Sequence, residues 1–267
     1  MNATTVTSAR DIQRPSVADA LAIAQAELAA AMALLRDLDV ADWQRPTDCT
    51  GWNVHDVVAH MVGQNEEMAR PDRLVRRVRQ ARRHSGLGVL DAHNQRQVRD
   101  RANVANEQLV VELEQWGNRA IRAARRIPAP LRRRMRLSMF FPEARDQPED
   151  SFDFLVRVLM ARDSWMHRSD IAAATGRPFT LDRHDSDVVR QVGRDIAMAW
   201  AGPPVILDLT GPAGGRWSIG DGMPIATVRV DAVAYLRRVS GRPADGPPTI
   251  HGDPSTTAAL LATRMQF

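Results

Sequence analysis

Two stretches decide how this chain is read: "GWNVHDVVAHM" at residues 51–61 and "RDSWMHRSDIAAATGRP" at 162–178. Each places histidine inside an amphipathic helix. In the first, Asn53 stands where an N-cap belongs, and Asp56 occupies the third helical position, where a carboxylate favours the positive end of the helix. Val57, Val58, Met61 and Val62 form its apolar side, next to His60. The second ends in "TGRP", a glycine stop with proline just beyond. It sets Asp163 one turn before His167, and residues four apart share a helix face.

Working outward, residues 16–38 are rich in Ala and Leu, with Ser16 as N-cap and Leu21, Leu28 and Leu35 at helical spacing. Residues 92–126 read as a third helical region, interrupted near "RANVANEQ", and 149–175 as a fourth. Long helices joined by longer, arginine-rich connections fit a helical bundle. After residue 180 the pattern changes. A helix at about 185–200 leads into "PPVILDLTG", "RWSIGDG" and "ATVRVDA", short runs separated by Gly and Pro that read as strands. "AVAYLRRVSGRP" returns to helix, "PTIHGD" reads as a further strand, and a helix capped by Ser255 closes the chain. The expected fold class is mainly α with a small α+β domain: an N-terminal tail over 1–15, a four-helix bundle over 16–180 and an α+β domain over 185–267.

Composition narrows the function classes. The 267 residues are 44% hydrophobic and 25% charged, as in an ordinary globular protein. All 36 basic residues are arginines, yet the net charge is only +4. The runs "RLVRRVRQARR" at 73–83 and "LRRRMR" at 131–136 could face a polyanion, but no aromatics interleave them, so solvated faces are the better reading and nucleic acid is not an expected partner. The single cysteine, Cys49, excludes an internal disulfide and a Cys-rich zinc site. No run approaches the eighteen or so apolar residues that a membrane span requires, and the N-terminus lacks a charged-then-apolar signal pattern, so a cytoplasmic location without a membrane partner is expected.

The chemistry centres on three residues. Asp163 and His167 can reach one ion from a single helix, and His60, mid-helix beside an apolar face, can supply a third ligand in the same bundle. Two histidines and a carboxylate with an open position suit a divalent metal, zinc above all. Spacing leaves another reading open: an exposed Asp–His ion pair and an ordinary buried histidine.

"TGWNVHDVVAHM" followed by "RDSWMHRSDIAAATGRP", in this order and at this separation, resembles the mycothiol-dependent maleylpyruvate isomerase-like family, within the DinB/YfiT-like superfamily. "TVRVDAVAYLRRVSGRPA" and "IHGDPSTTAALLA" resemble that family's C-terminal domain, which is similar to sterol carrier protein 2 (SCP2-like). The resemblance implies a DinB-like bundle with His60, Asp163 and His167 as metal ligands. Asp163 stands where the family has glutamate, a carboxylate one methylene longer. It further implies mycothiol as thiol cosubstrate, a small electrophile as the other partner, and isomerase or S-transferase chemistry.

Beside these ligands, Asp170 is a candidate to accept the proton on the non-ligating nitrogen of His167. Arg229 and Arg237, in the C-terminal domain, are candidates to hold a substrate carboxylate. His55 falls on another face of its helix, and Cys49, just before the first motif, could approach the site but reads rather as a small buried residue. Trp52 and Trp165 read as bundle packing. The alternative is a non-catalytic member with a structural metal, binding an apolar ligand or a protein.

Overall fold

Ser16 opens the first helix, α1 (Val17–Arg36), its Oγ accepting from the Asp19 amide. In the computed structural model, which describes residues 6–83, 88–146, 149–265 and 267, Leu21, Leu28 and Leu35 all turn inward. Gln147 and Pro148, just before the fourth expected helix, and Gln266, in the last, lie outside the described residues, as do residues 1–5 of the expected tail. α2 (Val54–Ala69) begins with a complete capping box: the Asn53 side chain accepts from the Asp56 amide, and Asp56 accepts from that of Asn53.

One connection expected as an arginine-rich link is itself a helix. α3 (Pro71–Ala81) starts with proline at its first turn, where no amide donor is needed. It buries Arg77, Val78 and Ala81. α4 (Val89–Arg99) and α5 (Asn106–Arg126) flank the interruption expected near residue 102. A short α6 (Ala129–Arg134) buries Arg132 against Asp153 at 2.9 Å. The basic runs are therefore partly internal ion-pair partners rather than solvated faces throughout.

The fourth long helix is not one regular α-helix. A turn at Phe152–Phe154 passes into a π-helical turn, Leu155–Leu159, before α7 (Met160–Thr175). The π turn inserts an extra residue into the helical repeat and so re-aims every side chain downstream, those of Asp163 and His167 included. Gly176 ends α7 at φ 68°, a left-handed conformation that glycine adopts without a Cβ clash.

α1, α5, α2 and α7 pack each against the next in a closed ring, a four-helix bundle. α1 has the length and apolarity to cross a membrane, which the sequence reading did not recognise. In the fold it is a bundle helix: its Glu27 is buried and paired with Arg168 of α7 at 2.8 and 3.0 Å. Close helix approach is built in at Gly117, where a Cβ would lie 2.6 Å from a Leu28 methyl.

The chain divides into two units, Pro15–Phe179 and a second comprising Thr180–Phe267 with the N-terminal segment up to Arg14. Residues 6–14, expected as part of a tail, thus pack into this unit. Ser218 donates to the Thr7 carbonyl at 3.1 Å, Ala9 is fully buried, and Arg14 pairs with Asp195. In this unit α8 (Arg183–Ala199) precedes β1 (Val205–Thr210), β2 (Gly215–Ile219), β3 (Ala226–Asp231), α9 (Ala232–Val239), β4 (Thr249–Gly252) and α10 (Pro254–Ala262). The sheet order is β2-β1-β3-β4, with β1 and β3 parallel and the outer pairs antiparallel. Asp253, not Ser255, caps α10, its carboxylate accepting from the Thr256 amide at 2.7 Å. Pro254 at the first helical position fixes that choice, because the cap must precede it.

Candidate metal centre

The bundle brings His60 of α2 to His167 of α7, ring centroids 5.0 Å apart and nearly perpendicular. His60, Asp163 and His167 each offer a ligand atom, all within 4.8 Å of one another. His167 Nε2 lies 3.6 Å from Asp163 Oδ1, and on its other side Nδ1 lies 3.4 Å from Asp170 Oδ2. One ring is thereby flanked by two carboxylates at i−4 and i+3 of its own helix. Asp170 is fully buried, whereas the Asp163 side chain is 19% exposed.

Cys49 corrects the sequence reading. It is only half-buried, and its Sγ approaches the site, donating to Asp170 Oδ2 at 3.3 Å and lying 3.9 Å from His167 Nδ1. The loop before α2 carries it there: Trp52 N–H donates to the Cys49 carbonyl, and Gly51 at φ 80° permits the turn. Local spacing cannot reveal an approach across 118 residues of chain to His167.

Trp52 packs on His60, centroids 5.0 Å apart, while Trp165 is core, against Phe179 at 5.1 Å. His55 points elsewhere, its Nε2 2.9 Å from the Val104 carbonyl. Two glutamines escaped sequence reasoning altogether: Gln64, whose Nε2 is 2.8 Å from His60 Nε2, and Gln97, fully buried against Gly63 in the turn after His60. Gly63 was the available signal, since glycine inside a helix marks close packing. Arg229 and Arg237 lie in the other unit. Arg229 is 61% exposed at its side chain and 3.6 Å from Asp208. Arg237 is buried and donates through Nε to the Pro243 carbonyl, which uses it within its own unit.

The two histidines differ electrostatically. Burial, and then the neighbouring His167, push His60 well below the ordinary imidazole value, so it is a neutral imidazole. Burial acts against charge on His167 too, but Asp163 and the hydrogen bonds to Asp170 and Cys49 outweigh it and push its pKa up to about 10. The cluster is thus arranged to hold positive charge, and a divalent cation meets the same demand. The donors present fit such an ion: a neutral imidazole, a second imidazole backed by a carboxylate, and a part-exposed carboxylate.

A pH dependence follows. The folded His167 pKa of about 10 lies above the unfolded value of roughly 6.5, so its stabilisation of the metal-free protein is complete below pH ~6.5 and is lost as pH rises through about 10. A bound cation displaces that proton, so zinc binding should release protons and tighten from pH 6.5 to 8.5. Calorimetry in buffers of different ionisation enthalpy reads both effects. Affinity independent of pH over that window would show that His167 is not a ligand.

Residues 24–172 match the model for the mycothiol maleylpyruvate isomerase N-terminal domain, a span that holds every member of the cluster. The chain belongs to the mycothiol maleylpyruvate isomerase family. Its fold is similar to the crystal structure of a mycothiol-dependent maleylpyruvate isomerase, with TM-score 0.59 and 17% identity, covering 91% of this chain and 95% of that one. A histidine-to-alanine mutant of a mycothiol-dependent maleylpyruvate isomerase gives the same TM-score at 16% identity, with the same coverage. No curated protein sequence matches. For a member of the mycothiol maleylpyruvate isomerase family, His60, Asp163 and His167 are the residues to examine for a metal.

Proposed function

We propose that the chain is a metal-dependent enzyme that uses a low-molecular-weight thiol, mycothiol in keeping with its family, to isomerise or S-conjugate a small electrophile. The observation that carries this reading is the donor cluster, in which His60, Asp163 and His167 converge while Asp170 backs the last of them.

When bound, a divalent ion such as Zn²⁺ would lower the pKa of a thiol at the site, providing a thiolate at neutral pH. His60 contributes an uncharged nitrogen. His167 donates through Nδ1–H to Asp170, which fixes its tautomer and aims the Nε2 lone pair toward Asp163 and His60. Cys49 donates its S–H to the same carboxylate and so restrains Asp170. Trp52 supplies an apolar wall beside His60 that excludes water.

Isomerisation requires a C–S bond to form on one carbon of a cis double bond while a proton goes to its neighbour. Rotation about the resulting single bond, and loss of the same thiol and proton, then yields the trans product. An S-transferase would stop at the adduct or expel a different leaving group. We read the C-terminal unit as SCP2-like and the protein as cytoplasmic.

A structural metal would be enclosed by four protein ligands. The partial exposure of Asp163 favours a site with an open position instead.

The test is consumption of a small thiol in the presence of cis-unsaturated keto or dicarboxylic acids, with metal removed and restored. Asp170→Asn should retain most of the metal yet lower turnover about 10–100-fold, as expected when an outer partner is lost. Arg79→Ala, in the basic run, should leave turnover unchanged. Thiol consumption at the uncatalysed rate across a broad electrophile panel, with metal fully bound, would replace the catalytic reading by the structural one.

A further inference from the structure

The loop between α4 and α5 meets the first turn of α2 around an open cavity of about 400 Å³. Small-molecule sites span roughly 300–1,000 Å³. Its polar lining includes Gln44, His55, Asp56, Asn103 and Asn106, and Val104 is among its apolar members. The walls are held in place by the protein's own bonds. His55 Nε2 lies 2.9 Å from the Val104 carbonyl. A carbonyl can only accept, so the ring donates through Nε2–H and ties the loop to α2. His55 is itself buried, edge-on to the buried Trp43 with ring centroids 6.5 Å apart. On the opposite wall Asn53 Nδ2 donates to Gln44 Oε1 at 3.3 Å.

These bonds engage one end of each polar group and leave the other available. Gln44 retains its amide N–H groups, and Asp56 retains Oδ1, because Oδ2 accepts from the Asn53 amide. The side-chain amides of Asn103 and Asn106 make no hydrogen bond among the described residues. Ala105 stands at the N-cap of α5 and offers no side-chain acceptor, and the first bond of that helix runs from the Leu109 amide to the Ala105 carbonyl. The amides of residues 106–108 therefore have no acceptor within the helix.

The balance of charge selects among ligands. Asp56 opposes an anion, while the positive end of α5 and the surrounding N–H donors oppose a cation. Apart from His55 no aromatic side chain lines the cavity, so a planar base would find no stacking platform. Interspersed donors and acceptors suit neutral groups that can do both, and a hydroxyl does so at a single atom.

We propose that this cavity binds a small neutral polyhydroxylated molecule, a monosaccharide or cyclitol, whose hydroxyls donate to Asp56 and accept from the amides of Gln44, Asn103 and Asn106. The site is separate from the metal cluster, because His55 falls on another face of α2 from His60. It does not rest on the metal reading.

The test is ¹H–¹⁵N NMR of the full chain titrated with glucose and with myo-inositol, following the side-chain amides of Gln44, Asn103 and Asn106. Saturable shifts confined to these groups and the 102–106 loop are expected with at least one of the two probes. Asn103→Ala and Asn106→Ala should each weaken that binding roughly 2–10-fold, as for the loss of one or two neutral hydrogen bonds. Glucose 6-phosphate and glucosamine test the charge argument, and both should bind more weakly than glucose. Absence of a saturable shift with either neutral probe, shifts located elsewhere, or tighter binding of a charged analogue would each overturn the proposal. The wild-type titration decides this even if a variant fails to fold.

Discussion

His167→Ala is expected to abolish divalent-metal binding and, with it, any metal-dependent thiol consumption. The loss should far exceed the roughly 10–100-fold that removal of an outer partner costs, because His167 is a proposed ligand that faces both carboxylates of the cluster. The substitution also removes the charge facing the fully buried Asp170, so the metal-free variant should melt below the metal-free wild type at pH 7. Cys49→Ala is the matched control: it removes a donor to Asp170 but no proposed ligand, and should keep the metal. Elemental analysis and the thermal shift on adding zinc give the readout. Wild-type stoichiometry in His167→Ala would place the ion, if there is one, elsewhere.

The second large effect concerns what holds the ligand helix. Glu27 of α1 and Arg168 of α7 form a two-point ion pair at 2.8 and 3.0 Å with both side chains almost completely buried. Arg168 follows His167 directly, so this pair pins the turn of α7 that presents the histidine. Removing one partner of a buried pair leaves an uncompensated charge and costs about 3–5 kcal/mol. Glu27→Ala should accordingly lower the melting temperature by roughly 6–20 °C, taking about 2–4 °C per kcal/mol for a chain of this size. Replacing both partners by apolar residues, Glu27→Met with Arg168→Leu, should recover much of that loss, because no charge is then stranded. Urea or thermal denaturation of the wild type and these two variants distinguishes the cases. A single mutant within about 1 kcal/mol of wild type would mean that the pair does not secure α7.

Much of this was legible because local signals repeat the tertiary answer. Asn53 and Asp56 announce the start of α2, and Gly176 with Pro178 the end of α7, by satisfying terminal backbone groups within a few residues. The i, i+4 spacing puts Asp163 and His167 on one face wherever the helix packs. α3 was missed because its exposed arginines mask a short apolar stripe, and its buried Arg77 finds its acidic partners at residues 66, 67 and 100. The N-terminal segment reads as a tail for a similar reason: its contacts, Arg14 with Asp195 and Thr7 with Ser218, span most of the chain.

Helix periods, caps, strand punctuation and the spacing of the α7 pair are local properties, encoded by neighbouring residues through backbone sterics and hydrogen bonds. They establish the helical bundle, the later α+β pattern and two of the three candidate ligands. Convergence is of another kind. That His60 meets His167, that Cys49 reaches Asp170 and that Gln97 seats against Gly63 depend on how α2, α4 and α7 pack and on the π turn that re-aims α7. Those relations are set by side chains far apart in sequence that exclude water together, and no local pattern carries them.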